Sequence, residues 1–167
     1  MVEQVNDQAR VLVVGLGDPL AGDEGAGARA VEELRRRFAL PAYVETVNAA
    51  GVDQTLLEEA EEASFLLVAD CVVADEPPGT IIRVPLEEFE RPAEPPESLH
   101  ERELLEGLGV LEMLGNRPPA VLLAMQVGRR GSANELSPSV AEAMPSLVGR
   151  LVEELVRIGV PLAPRRE

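Results

Sequence analysis

Residues 11–16, VLVVGL, are a continuous apolar run that stops at Gly17. A run of this length, rich in Val and lacking alternation, predicts a strand buried on both faces. From 24 to 38 the period changes. Ala28, Val31, Leu34 and Phe38 recur at helical spacing, while Glu32, Arg35 and Arg36 occupy the other face. AYVETV, 42–47, predicts a second strand, and Asp53 can cap a helix running to about Ala63. FLLVAD, 65–70, predicts a third strand with the composition of a central one. GTIIRVP, 79–85, alternates more and suits a sheet edge, and the Pro- and Glu-rich stretch 86–97 suits an exposed loop.

SLHE, 98–101, has Ser and Glu at capping-box spacing, ahead of a helix to about Leu114. PPAVLLAMQV, 118–127, predicts the last strand, and GRRGSANE a loop. Ser137 and Pro138 supply a cap and a first-turn proline for a long helix to about Ile158, and the tail APRRE is expected to fray. Strands alternating with helices imply an α/β fold. The expected form is a single three-layer domain over 1–167, with a twisted, mostly parallel five-stranded sheet and helices on both faces. Ligands of such sheets sit beyond the carboxyl ends of the strands, where the strand order reverses.

The length, 167 residues, suits one domain with an adequate core. Thirty acidic against 15 basic residues, all of them Arg, give a net charge of −15. That balance argues against nucleic acid as a partner, because phosphate contacts need clustered positive charge. Aromatics are 2% and Trp is absent, which disfavours base-stacking sites. One Cys precludes an intrachain disulfide and suits a reducing compartment. The polar start MVEQVNDQAR resembles neither a signal nor a transit peptide, and no apolar run approaches the ~20 residues of a membrane span. A cytoplasmic protein without membrane contact is expected, acting as a monomer.

Three segments carry candidate chemistry. GLGDPLAGDEGAG, 15–27, has the look of a dinucleotide fingerprint, but Leu20 stands where a third glycine is needed. The second strand also ends in Val47 and Asn48 rather than an acid, and Asp18, Asp23 and Glu24 would repel a pyrophosphate. The plain alternative is a Gly-rich turn whose acids favour a helix N-terminus. Asp70 closes the third strand, as a site residue or as a cap of the following turn. His100, the only histidine, opens its helix, as a site residue or as a surface group. If the first and third strands are neighbours, their acids face one crevice that His100 can close. Two carboxylates and one imidazole suit a borderline divalent ion such as Ni, Zn, Fe or Mn, with positions left for water or substrate. Cys71 after a core strand reads as a small buried hydrophobe. Arg129 and Arg130 read as a solvated loop or as a contact for an acidic or C-terminal peptide. There is neither a G-x-S-x-G elbow nor HExxH.

VLVVGLGDPLAGDEGAGARAVEEL resembles the opening of the hydrogenase maturation proteases, which trim the C-terminus of the [NiFe]-hydrogenase large subunit. That opening is a strand, then G-x-G-N-x-L-x-x-D-[DE]-G-x-G, then an amphipathic helix. The likeness continues at FLLVADCV, SLHERELLEGL and LSPSVAEAMPSL, in the same order. The resemblance implies a five-stranded sheet between helices. It also implies that Glu24, Asp70 and His100 contact the metal and carry the catalysis. The metal implied is nickel, carried mainly by the precursor that is the substrate and partner. Two departures stand out: Asp18 replaces the usual Asn, and GRRG follows the last strand in place of a hydrophobic or Pro-bearing loop. The expected function is therefore a nickel-dependent processing endopeptidase. The alternatives are a non-catalytic metal- or substrate-binding module of the same fold, or a metallopeptidase with an unrelated peptide substrate.

Overall fold

The structure is a computed structural model that describes residues 9–86, 97–98, 100–128 and 134–166. The run VLVVGL forms β1 (Val11–Leu16), buried at every position. The chain continues through α1 (Ala26–Arg37), β2 (Phe38–Ala39), β3 (Val44–Ala49), α2 (Gln54–Glu61), β4 (Phe65–Val73) and β5 (Ile81–Pro85). It ends with β6 (Glu97–Ser98), α3 (Glu101–Met113), β7 (Ala120–Gln126), α4 (Pro138–Arg157) and β8 (Ala163–Pro164). A short 3-10 turn, Gly22–Gly25, leads into α1.

The main sheet has the order β3-β1-β4-β7-β5, with β6 added to the end of β4. β3, β1, β4 and β7 run parallel, and β5 is an antiparallel edge on β7. Alternation along these strands divides the core in two. Val11, Val13, Leu67, Leu123 and Met125 pack with Val31, Leu34, Leu147 and Leu151 of α1 and α4. Leu12, Val14, Leu66, Val68 and Leu122 pack with Leu56, Leu104 and Leu108 of α2 and α3. Each face of the sheet is therefore covered, which explains the unbroken apolar runs of β1, β4 and β7. No helix among the described residues is long and apolar enough to cross a membrane.

After β1 the chain crosses to β3 on one flank, and after β4 it moves to β5 and β7 on the other. The order thus reverses between the neighbours β1 and β4, the point at which sheets of this kind bind ligands beyond the carboxyl ends of their strands.

Four local expectations change. The tail does not fray, because Ala163–Pro164 pair antiparallel with Phe38–Ala39. Arg165 adds its backbone N–H to the Arg37 carbonyl at 2.8 Å and its Nε to the Phe38 carbonyl at 3.0 Å. Ser98 is not a helix cap, since it pairs with Val72 in β6 and α3 begins after His100. Leu86, placed in the exposed stretch, is fully buried, and its N–H donates to the Ala120 carbonyl; residues 87–96 lie outside the described residues. Ser137 does stand at the N-cap of α4, but its hydroxyl makes no cap hydrogen bond there. Asp53 caps α2 as expected, accepting the Leu56 N–H at 2.8 Å.

Candidate active site

Pairing between β1 and β4 stops at Ala69, so Asp70 is the first residue of β4 beyond its neighbour. β7 still supports the other side, with Asp70 opposite Ala124. The Asp70 side chain is fully buried. Alternation puts it on the side of Leu66, Val68 and Val72, facing the layer of α2 and α3.

β6 delivers its partner. Val73 and Val72 pair antiparallel with Glu97 and Ser98. His100 follows two residues after Ser98, at the start of α3. His100 Nδ1 lies 3.0 Å from one Asp70 oxygen and 3.1 Å from the other. The hydrogen bond to Asp70 raises the His100 pKa from its ordinary value, while burial works against it. The charges of Asp70 and Glu103 and a hydrogen bond to the Ala50 backbone push in the same direction as the first. The backbone of His100 starts α3, its carbonyl accepting the Leu104 N–H at 2.9 Å. Carboxylate-to-imidazole contact of this kind fixes ring orientation and raises basicity in metal and acid–base sites.

Glu24 approaches from the opposite layer. Its turn is folded so tightly on β1 that a Cβ at Gly17 would collide with the Glu24 carbonyl, and one at Gly25 with the Asp18 carbonyl. Gly17 also has φ +110°, a conformation that glycine adopts without strain. At Gly27 a Cβ would strike the Ala69 carbonyl, so α1 starts directly against the end of β4. Cys71 points the other way from Asp70 along β4, and its thiol donates to the Glu24 carbonyl at 3.7 Å. Burial pushes the Cys71 thiol pKa well up, and the negative charges of Asp70 and Glu24 push it further. The thiol therefore stays protonated and serves as a donor.

The structure thus joins Asp70 and His100 directly and brings the Glu24 backbone to the residue after Asp70. Among the described residues, no three Asp, Glu, His or Cys side chains group closely enough to hold an ion together. Alternation explains the gap: Asp70 faces the α3 side of the sheet, while Glu24 rides on the turn before α1.

Asp18 forms the turn: its Oδ1 accepts the Leu20 N–H at 2.9 Å, as an Asn side-chain oxygen at this position also would. Asp23, read from sequence only as one acid of the motif, is 3% exposed. It accepts the Gly128 N–H at 2.8 Å, and the Ser137 N–H and Ser137 hydroxyl, both at 2.7 Å. Those partners are more than a hundred residues away in sequence, so no local pattern announces them. Arg129 and Arg130 lie outside the described residues.

A parallel α/β sheet with a carboxylate–imidazole pair at its switch point, and a third acid on the adjoining Gly-rich turn, has the frame of a small hydrolase. The model of the family Hydrogenase maturation protease matches residues 28–154. The Hydrogenase 2 maturation protease of Escherichia coli is 29% identical over 158 residues, covering 93% of this chain and 96% of that protein. The hydrogenase expression/formation protein HupD of Thiocapsa roseopersicina is 33% identical over 160 residues, 94% of this chain and 72% of the relative. The solved hydrogenase maturating endopeptidase HybD of E. coli superposes with TM-score 0.81 at 30% identity, covering 93% of this chain and 98% of that one. The chain belongs to the hydrogenase maturation protease family and is an endopeptidase by class.

Proposed function

We propose that this protein removes a C-terminal peptide from the large-subunit precursor of a [NiFe]-hydrogenase, and that Glu24, Asp70 and His100 engage the nickel which that precursor carries. The observation that supports this most is the Asp70–His100 pair at 3.0 Å, set at the carboxyl end of β4 and next to the Glu24 turn. The residue types, two carboxylates and one imidazole oriented by a buried carboxylate, suit a borderline ion held jointly with the precursor rather than by this chain alone. When bound, the ion supplies Lewis acidity at the scissile carbonyl or toward water.

The chain's own groups do the rest. Asp70 holds the His100 ring in one orientation through Nδ1. The tight glycine turn fixes the backbone of Glu24 and leaves its side chain to meet the substrate. With a single imidazole in the set, the precursor supplies much of the affinity, and the enzyme reads nickel as the sign of a finished precursor. The enzyme works as a monomer, in the cytoplasm.

The test is incubation of purified protein with nickel-loaded and nickel-free precursor, followed by mass spectrometry of the precursor's C-terminus. Loss of a C-terminal peptide from the loaded form alone is the expected result. No cleavage of the loaded form sinks the activity, and equal cleavage of both forms sinks the role of nickel.

A further inference from the structure

Asp23 sits one residue before Glu24, yet every side-chain hydrogen bond described for it runs to the far end of the chain. One oxygen takes the Ser137 N–H, and the other takes the Gly128 N–H and the Ser137 hydroxyl. This arrangement displaces another. Ser137 is the N-cap of the 20-residue helix α4, and its hydroxyl is not used as a cap. A capping hydroxyl contributes about 1 kcal/mol to a helix. Here it points at Asp23 instead. The carboxylate is compensated for burial by three short hydrogen bonds and by its place at the positive end of α4.

The same turn is held at two further points. The Glu24 carbonyl receives the Cys71 thiol, and Gly17 admits that carbonyl by lacking a Cβ. Nearby, Arg29 ties the turn to the same distant region, donating to the Pro19 carbonyl at 2.8 Å and the Asn134 carbonyl at 2.7 Å. The short peptide 23–25 is thus fixed on one side to β4, which carries Asp70, and on the other to the residues after β7 and before α4. A turn of four residues needs no such anchorage merely to enter a helix.

We infer that Asp23 is a positioning residue for the proteolytic site. By clamping Gly128 and Ser137 it fixes where the Glu24 carboxylate is presented relative to the Asp70–His100 pair. The inference rests on the reading of Glu24 given above as a residue that engages the substrate's nickel. Asp23 itself touches neither metal nor substrate.

Three variants separate this role from plain stability. Asp23→Asn keeps the size but replaces one acceptor oxygen with a donor. Ser137→Ala removes only the hydroxyl, and Ser137→Thr puts a hydroxyl back. With nickel-loaded precursor, Asp23→Asn is expected to lower kcat by about 10- to 100-fold, the usual loss for a group that orients a metal-engaging residue. KM should stay within about threefold of the parent, since substrate still docks. Ser137→Ala should lower kcat in the same sense by a smaller factor, and Ser137→Thr should recover most of it. Thermal melts are recorded for all four proteins. If Asp23→Asn and Ser137→Ala melt earlier but cleave with the parent's kcat, Asp23 is a structural clamp only and the inference fails. If Asp23→Asn does not fold, the Ser137 pair decides by the same criterion. If the parent itself leaves the loaded precursor uncut, the function proposed above fails instead, so the two failures are distinguishable.

Discussion

His100 and Asp70 meet side chain to side chain, with Nδ1 3.0 Å from the carboxylate, although one belongs to a helix cap and the other to the sheet. This contact gives the proton and the metal opposite claims on one ring. Asp70 raises the His100 pKa in the folded protein above its unfolded value of about 6.5. A raised pKa means that the folded state holds the proton more tightly. The resulting stability is fully present below about pH 6.5 and is lost as the pH rises through the folded value. In chelator, the parent should therefore out-melt Asp70→Asn by most below about pH 6.5, and the gap should narrow as the pH rises through the folded-state pKa. Nickel affinity should run the other way, increasing over the same range, because only the neutral ring coordinates. Melting curves and calorimetric titrations at several pH values check both signs. A gap that widens with pH contradicts the assignment.

Glu24→Gln, Asp70→Asn and His100→Ala should each abolish processing of a nickel-loaded precursor. Each should also retain the far-UV circular dichroism of the parent. Glu24→Gln, on a half-buried turn residue, should change stability by no more than about 0.5 kcal/mol. Asp70→Asn should cost more, because the fully buried carboxylate loses a charge-assisted bond of roughly 1.5–3 kcal/mol. Normal turnover by all three variants removes the assigned site.

Cys71→Ser should keep most of the activity, and alkylating reagents should not inhibit the parent. The thiol is fully buried and its pKa is raised, so it is unsuited to act as a thiolate nucleophile. The Ser hydroxyl can donate to the Glu24 carbonyl in its place. Inactivation of a folded Cys71→Ser protein, with alkylation-sensitive turnover in the parent, would establish a thiol mechanism.

Gly27 and Gly149 should respond to alanine in opposite ways. A methyl at Gly27 drives into the Ala69 backbone next to Asp70. Gly27→Ala should destabilise by about 1–3 kcal/mol and reduce cleavage as well, since it shifts the end of β4. Nothing lies within 4 Å of a Cβ at Gly149, inside α4. Gly149→Ala should stabilise by about 0.4–1 kcal/mol at unchanged turnover. Chemical denaturation together with the cleavage assay reads both effects.

Most of this architecture was legible in the sequence because its signals are local. The unbroken apolar runs of β1, β4 and β7 announce double-sided burial, and the amphipathic period of α1 announces a covering helix. Asp70 and His100 are legible as candidates because each sits at an element boundary, where side chains of an α/β sheet face its ligands. What stayed hidden depends on distant partners. The destination of the Asp23 carboxylate is at Gly128 and Ser137, and the same contact redirects a serine that would otherwise cap α4. Ser98 offered a capping pattern, but pairing with Val72 took its backbone into the sheet. The tail's pairing is hidden for a similar reason, because Pro164 carries no N–H to signal a strand yet sits beside Phe38 on a two-stranded ribbon.

The pairing of β6 with the overhanging end of β4 also makes backbone contacts part of the chemistry. Because Glu97 and Ser98 are registered on Val73 and Val72, His100 takes its place from the sheet rather than from the path that leads to it. A substitution in β4 that weakens this two-residue ladder, at Val72 or Val73, would therefore unseat the imidazole while leaving Asp70 and His100 themselves untouched.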